Sequence, residues 1–488
     1  MSLISYPRAL ALQAEREPER IAIVCGGQEQ RYAELAAAAG RLAQVFAALG
    51  VGEGDYVAIA LENGVRHIEC WFAAWSLGAI PMPLSARLPQ AERDGILALA
   101  APALVVGPNV GSCGALACLP AKYELDESVF AAPLADRVSE SCQALTSGGS
   151  TGRPKIIVDT TPARCDPEQP FYGNAPGSTV LVPGPLHHAG PFINAKVTLL
   201  GGGKVVLMER FDASEALSLI ERHRVEWVNF VPTMLHRIWR LPAEQREACD
   251  LSSLRMLTSS GAACPDWLLR AWIDWLGPDR VQEAYGGSER IGGTLISGRE
   301  WLAHPGSVGR PTGGRAIRIL DPEGGELPPF EIGEVFMMPP GGQGSTYRYV
   351  GAEARATGDG WETLGDLGYV DEEGFLYLVD RRTDMIVTGG ENVYPAEVEG
   401  AIDAHPAVRS CAVIGLPDGD LGQRVHAIVE ADASLREDDL KVHLAAHLAR
   451  YKIPRSVEFV DTPLRDDAGK VRRFALREAR IVAAGEPR

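Results

Sequence analysis

The sequence predicts an α/β protein: parallel sheets covered by helices, then a strand-rich piece, then a small α+β domain. Three observations lead there. Strand-like and helix-like segments alternate through the first three hundred residues, and from Gly306 the texture shifts to short strands separated by turns. After Arg381 helical and strand-like segments mix again. Alternation of this kind implies parallel strands with helical crossovers.

Taken in order, Tyr32–Leu49 is apolar at helical spacing and is stopped by Gly50. Tyr56–Leu61 is a short apolar run that reads as a buried strand. Ile68–Leu77 is helical again and leads into a strand-like Ala-Ile-Pro-Met-Pro-Leu run. The rhythm returns with Thr179–Pro183 as strand, Ala213–His223 as helix and Trp227–Val231 as strand. The later strands Ala316–Leu320, Gly333–Met337 and Gly374–Val379 are set off by Asp-Pro-Glu-Gly-Gly and Asp-Glu-Glu-Gly turns, which suits an antiparallel or barrel-like piece. Beyond it, Pro395–Asp403 and Asp438–Ala449 read as helices, and Val408–Ile414 and Val425–Val429 as strands. A boundary near Thr383 divides a large domain, 1–383, from a small one, 384–488, a reasonable size for an independent fold.

With 488 residues, the chain is too long for one core. No run of about 18 apolar residues occurs, so no membrane span is expected. The first twenty residues lack an apolar signal core, and a cytoplasmic address is expected. A net charge of −17 without a basic cluster argues against nucleic acid or an anionic membrane as partner. The nine cysteines are scattered and include no Cys-x-x-Cys, which argues against a disulfide framework or a zinc site.

Five segments carry chemistry. The run Thr146, Ser147, Gly148, Gly149, Ser150, Thr151, Gly152, Arg153, Pro154, Lys155 combines glycines that let amides approach a polyphosphate with hydroxyls and an ammonium. It is not a Walker A loop, because Arg-Pro precedes the lysine. The second is Ala284-Tyr285-Gly286-Gly287-Ser288-Glu289, with a ring to stack a base and a carboxylate to hold Mg²⁺. Asp366, in Gly-Asp-Leu-Gly, and Arg381 suit ribose hydroxyls or phosphate. Gly389-Gly390-Glu391 and the glycine turn bearing Lys470 complete the set. Each segment taken alone is also compatible with an ordinary surface turn.

Together, in this order and spacing, they resemble the adenylate-forming superfamily of acyl-CoA synthetases, nonribosomal-peptide adenylation domains and beetle luciferases. Pro185–Pro191, Ser259–Ala263, Gly306–Pro311 and Tyr451–Pro454 extend the resemblance over nearly the whole chain. It implies a large domain of two helix-covered β-sheets plus a distorted β-barrel, and a small mobile C-terminal domain. The implied activity is an ATP-, Mg²⁺- and CoA-dependent ligase acting on a small-molecule carboxylic acid, with a carrier protein as the other possible thiol.

By the same resemblance, the 146–155 loop holds the β- and γ-phosphates, and Tyr285 with Gly261-Ala262 sandwiches the adenine. Gly286 admits the ligand, Ser288 touches phosphate and Glu289 ligates the metal. Asp366 and Arg381 hold the ribose, Lys470 bridges the acid and the α-phosphate, and His188 lies beside the acid pocket. Gly389 and Gly390 line a pantetheine tunnel.

Three departures from the family pattern stand out. Thr383 occupies the hinge position where Asp or Lys is usual, with Asp384 beside it. Ile-Ile-Val follows Lys155 where many members have glycine, and Ser288 replaces threonine. The changed hinge raises an alternative in which only one half-reaction, such as thiol transfer from a supplied acyl-adenylate, is retained. The walls expected at Trp227–Met234, Gly261–Ala263 and Gly286–Thr294 are rich in glycine, which suggests a bulky apolar acid, long-chain or polycyclic. An oxygenase of the luciferase type and a non-catalytic nucleotide sensor are the remaining readings; the presence of Lys470 weighs against the sensor.

Overall fold

The computed structural model describes residues 3–107, 116–126, 128, 130–148, 154–466 and 469–484. Its largest sheet has 13 strands and changes character across its width. Strands Ile21–Cys25, Lys204–Leu207, Thr179–Val182, Trp227–Phe230, Met256–Ser260 and Val281–Gly286 lie side by side in that order, all parallel. Ile21–Cys25, Thr179–Val182, Lys204–Leu207 and Trp227–Phe230 are mostly apolar because helices cover both faces, whereas Met256–Ser260 and Val281–Gly286 carry polar residues. Ala213–His223 and Asp266–Leu276, for example, bury Leu217, Ile220, Leu269 and Trp272 in one core with Val228 and Leu257. A second parallel sheet is formed by Ile80–Pro83, Tyr56–Ile59, Leu104–Gly107 and Ala117–Pro120. The observed strands and helices match the sequence expectation to within a few residues.

Helix Tyr32–Ala48 shows why the pattern is legible. Leu35, Ala39, Leu42 and Phe46 are fully buried at spacings of three and four. The Glu34 carboxylate accepts the Arg31 N–H at 2.7 Å across the first turn, and Gly50 leaves the helix at φ +92°. The helix packs beside Val65–Ser76, whose Trp71, Phe72 and Trp75 meet Phe192 in an aromatic core.

Beyond Val281–Gly286 the large sheet continues antiparallel through Gly293–Ser297, Ser307–Pro311, Leu376–Arg381, Glu362–Val370, Gly333–Met338 and Ala316–Leu320. These strands extend the large sheet, with no closed ring among the described residues. Ala144–Gly148, Pro154–Asp159 and Tyr347–Val350 form a separate antiparallel sheet.

Leu376–Arg381 is the last strand of the large sheet, and Ile386–Thr388 is the first of a five-stranded sheet; Thr383 lies between them. The small sheet also includes Glu391–Val393, Val408–Asp418, Gly422–Ala431 and Ser456–Phe459. Helix Glu437–Ala445 is shorter than expected: the chain turns through Arg450–Lys452 towards Pro454, which disfavours helix at the preceding residue. No helix among the described residues is long and apolar enough to cross a membrane.

Candidate active site

The parallel strands end at the residues singled out from the sequence. Trp227–Phe230 delivers Val231, Met256–Ser260 delivers Gly261 and Ala262, and Val281–Gly286 delivers Tyr285 and Gly286. Ligands of open parallel sheets gather beyond such carboxyl ends. Gly261 has φ +88°, which lets the chain reverse there, and residues 261–263 are exposed.

Two charged groups anchor one side of the crevice. Lys155 and Glu289 are 134 positions apart, yet Lys155 Nζ lies 3.4 Å from Glu289 Oε1. Both meet Tyr349, whose hydroxyl donates to Glu289 Oε1 at 2.6 Å and accepts from Lys155 Nζ at 2.9 Å. Burial, then the Glu289 carboxylate, raises the phenol above its ordinary range, so it remains a donor. Thr346 Oγ1 donates to the Glu289 carbonyl at 2.9 Å. Tyr349 and Thr346 belong to no motif, and the sequence reading missed them. The alternation of Tyr347 and Tyr349 on one strand is the signal that could have found them.

A second group sits along the sheet. Tyr285 Oη donates to Asp366 Oδ2 at 2.6 Å, while Arg381 Nε lies 3.2 Å from Asp366 Oδ1. Asp366 and Arg381 are directly paired in the strand register, which explains how positions fifteen apart come together. Ser288 is half-buried on the turn between Gly286 and Glu289.

The small domain contributes Lys470. Asp466 and Lys470 close its turn by N–H···O bonds of 2.9 and 3.0 Å. Gly469, at φ +75°, lies against Thr233 and Val231: a Cβ there would come within 3.2 Å of Val231 Cγ2 and closer still to Thr233 Oγ1. Arg472 reaches Glu92 at 3.3 Å, and Arg240 donates to the Val408 carbonyl across the same junction. Lys470 keeps solvent access. Its ammonium is nevertheless held below the ordinary lysine range by desolvation, which Asp466 opposes, Arg381 reinforces and Glu289 opposes. His188 caps helix Ala189–Leu200 and touches His187, ring to ring, at 4.3 Å. Burial, then His187 and Lys470, push it down to about 2, so it is a neutral imidazole.

Lys155 with Glu289, and Tyr285 with Asp366 and Arg381, thus form two contacting groups, and Lys470 lies near enough to Glu289, Arg381 and His188 for their charges to interact. Thr146 lies on the strand paired with Pro154–Asp159, where Ser147 and Gly148 face Lys155 and Pro154 in register. Gly149, Ser150, Thr151 and Gly152 fall outside the described residues. Gly389 and Gly390 form an exposed hairpin tip with φ +59° and +87°; the atoms nearest a Cβ on Gly389 belong to Leu421, and a Cβ on Gly390 would meet open space. Thr383 Oγ1 lies 3.4 Å from Asp384 Oδ1, and Asp384 is paired with Arg473 at 2.9 Å.

The glycines read as pocket walls have another use. A Cβ on Gly292 would overlap Met337, and one on Gly287 would lie 2.7 Å from Leu364 Cδ1. Gly286 and Gly293 are paired in register. These positions permit close packing of strands, so they do not measure the size of the acid pocket.

A family model described as AMP-binding enzyme matches residues 10–344, and one described as AMP-binding enzyme C-terminal domain matches residues 397–470. The chain belongs to the AMP-binding enzyme family. Within it, this AMP-binding enzyme is an AMP-forming acyl-CoA synthetase. It is 36% identical to a feruloyl-CoA synthase of Amycolatopsis sp over 95% of this chain and 97% of that one. It is 30% identical to a long-chain-fatty-acid–CoA ligase of Mycobacterium tuberculosis over 92% of each chain. The structure of the o-succinylbenzoate CoA synthetase of Bacillus subtilis in complex with ATP and magnesium ion superposes with a TM-score of 0.80 at 28% identity, covering 96% of this chain and 98% of that one.

Proposed function

We propose that this enzyme joins a bulky, apolar carboxylic acid to CoA in two steps, through an acyl-adenylate. The observation that carries this reading is the convergence of Lys470, from the small domain, on a crevice already furnished with Lys155, Glu289, Asp366 and Arg381.

In the first step the acid's carboxylate attacks the α-phosphorus of ATP and pyrophosphate leaves. The carboxylate is ionised at neutral pH, so the step needs positioning and charge neutralisation and not a base. Lys470 neutralises the acid and the α-phosphate oxygens. Lys155 meets the outer phosphates. Tyr285 stacks on the base with Gly261-Ala262 behind it, while Asp366 and Arg381 hold the ribose. Mg²⁺ uses one or two carboxylates together with nucleotide phosphates. Glu289 is the residue that would hold it. Mg²⁺ would shield the triphosphate and stabilise the departing charge.

In the second step a thiol displaces AMP. The exposed Gly389–Gly390 turn is assigned to the pantetheine arm on the family resemblance. Its use requires the small domain, 384–488, to rotate about Thr383. The Asp384–Arg473 pair lies wholly within that domain and so travels with it, which supports retention of both half-reactions despite the threonine. Beside the Lys470 turn, Val231, Thr233 and the neutral His188 offer no carboxylate for an amine, which favours an apolar acid over an amino acid. The relatives named for feruloyl and long-chain fatty acids point the same way.

The test offers each of a panel of arylpropenoic, long-chain and polycyclic acids twice: free with ATP, and as the synthetic acyl-adenylate. CoA is present in both arms and acyl-CoA is read by mass spectrometry. Product from both forms of a bulky acid supports the proposal. Product from the adenylate alone would leave only the thiol-transfer half. Turnover confined to short or amino acids would overturn the substrate class, and acylation of a carrier protein without CoA use would overturn the acceptor.

A further inference from the structure

Behind the crevice a strained arginine meets a buried carboxylate. Arg290 follows Glu289 directly and has φ +57°, the left-handed region that a bulky residue occupies only when its surroundings hold it there. Its N–H donates to the Gly287 carbonyl at 3.1 Å, closing the turn that bears Glu289. Its guanidinium donates to Asp159 Oδ2 at 2.7 Å and to Thr161 Oγ1 at 3.2 Å.

Asp159 is 3% exposed, and its other oxygen accepts the Thr161 N–H at 2.8 Å. Burial by itself would raise the carboxyl, but Arg290, the Thr161 amide and Lys196 bring it below its ordinary value, so it is an anion. Asp159 ends the strand Pro154–Asp159, in which Lys155 lies four residues earlier. Residues four apart in a strand share a face.

Two consecutive residues therefore grip one strand at two points: Glu289 holds Lys155, and Arg290 holds Asp159. Thr346 joins the same arrangement, donating to the Glu289 carbonyl at 2.9 Å while its own carbonyl accepts the Thr160 N–H at 3.1 Å. The left-handed turn at Arg290 is what sends the two side chains in different directions.

We propose that Arg290, acting through Asp159, is a positioning residue that sets the approach of the Glu289 carboxylate to Lys155, and with it the grip on the Mg²⁺–triphosphate. The proposal rests on the reading of Glu289 and Lys155 given above.

The test compares Arg290→Ala, Arg290→Lys, Asp159→Asn and the Arg290→Ala/Asp159→Asn double variant with the unaltered enzyme and with Glu289→Gln. Three quantities are measured: the thermal midpoint without ligand, the Mg²⁺ concentration giving half-maximal thermal stabilisation at fixed ATP, and KM and kcat in ATP–pyrophosphate exchange. Arg290→Ala is expected to raise the half-saturating Mg²⁺ concentration about tenfold, as loss of a supporting contact to a metal ligand typically does. Arg290→Lys restores part of that loss, and the double variant is no worse than Arg290→Ala, because the two residues act as a unit. If Arg290→Ala does not fold, Asp159→Asn carries the same expectation.

A folded Arg290→Ala or Asp159→Asn protein with unaltered Mg²⁺ half-saturation, beside a Glu289→Gln protein that is shifted, overturns this inference alone. If Glu289→Gln is also unshifted, the reading of Glu289 is wrong and the inference falls with it. A lowered thermal midpoint with no change in Mg²⁺ dependence reduces the pair to a structural role and also overturns it.

Discussion

Gly469→Ala tests whether docking of the Lys470 turn limits adenylation. The native residue has φ +75°, and an added Cβ would press on Thr233 Oγ1, Thr233 Cβ and Val231 Cγ2. The left-handed conformation costs an alanine roughly 1–2 kcal/mol, and overpacking adds about 1–3 kcal/mol. The first cost is present whether or not the turn is docked, so docking is weakened by the overpacking alone, at least about 1 kcal/mol, or roughly fivefold in the docked population at 1.36 kcal/mol per decade. Undocking would relieve the overpacking, while the backbone strain stays with the fold of the small domain. ATP–pyrophosphate exchange should drop by about that factor. Thiolysis of a supplied acyl-adenylate should change little, because the role proposed for Lys470 is confined to adenylation, and the thermal midpoint should move by only a few degrees, as about 1 kcal/mol would in a chain of this size. Exchange at the unaltered rate, or equal losses in both half-reactions, would refute the reasoning.

Three further outcomes follow from the geometry. Lys470→Ala should abolish most pyrophosphate exchange, by about a hundredfold or more as for loss of one stabilising donor, with thiolysis of the adenylate as the control that survives. Tyr285→Phe removes the phenol bonded to Asp366 Oδ2 at 2.6 Å. A stability loss of about 1.5 kcal/mol by denaturant titration is expected for a bond to a charged acceptor, and a KM for ATP that changes less than in Asp366→Asn. Glu283 is 4% exposed and burial pushes its carboxyl up to about 8. Its folded pKa is raised, so its contribution to stability is fully present below the unfolded value near 4.5 and is lost as pH rises towards 8. Glu283→Gln, which has no proton to lose, should therefore gain on the unaltered protein by roughly 2 kcal/mol between pH 6 and 8, at 1.36 kcal/mol per unit; a difference independent of pH would contradict the assignment.

Much of the fold is legible because burial imposes periodicity. Leu35, Ala39, Leu42 and Phe46 repeat at helical spacing since one face of their helix meets the core. The runs 179–182 and 227–230 are apolar at nearly every position since helices cover both faces of their sheet. The candidate site is legible for a different reason: glycines, hydroxyls and charges crowd into a few short segments at strand ends. What escaped was support from outside those segments. Tyr349, Thr346 and Asp159 are ordinary residues in sequence, and the pairing of Tyr347–Val350 with Pro154–Asp159 is what gathers them around the Glu289–Arg290 turn. The glycines at 287 and 292 do not report pocket size, because a missing side chain reads the same whether it makes room for a ligand or for Leu364 and Met337.

The amino-acid sequence by itself determined the α/β class, the order of strands and helices, and which segments concentrate glycines, hydroxyls and charges, because local burial and local charge are properties of neighbours along the chain. Only the tertiary structure decided that Lys155 meets Glu289, that Asp366 is held between Tyr285 and Arg381, and that the Lys470 turn rests on Thr233 and Val231. Those contacts join residues far apart in the chain, and their distances are set by sheet register and by how one domain seats on the other.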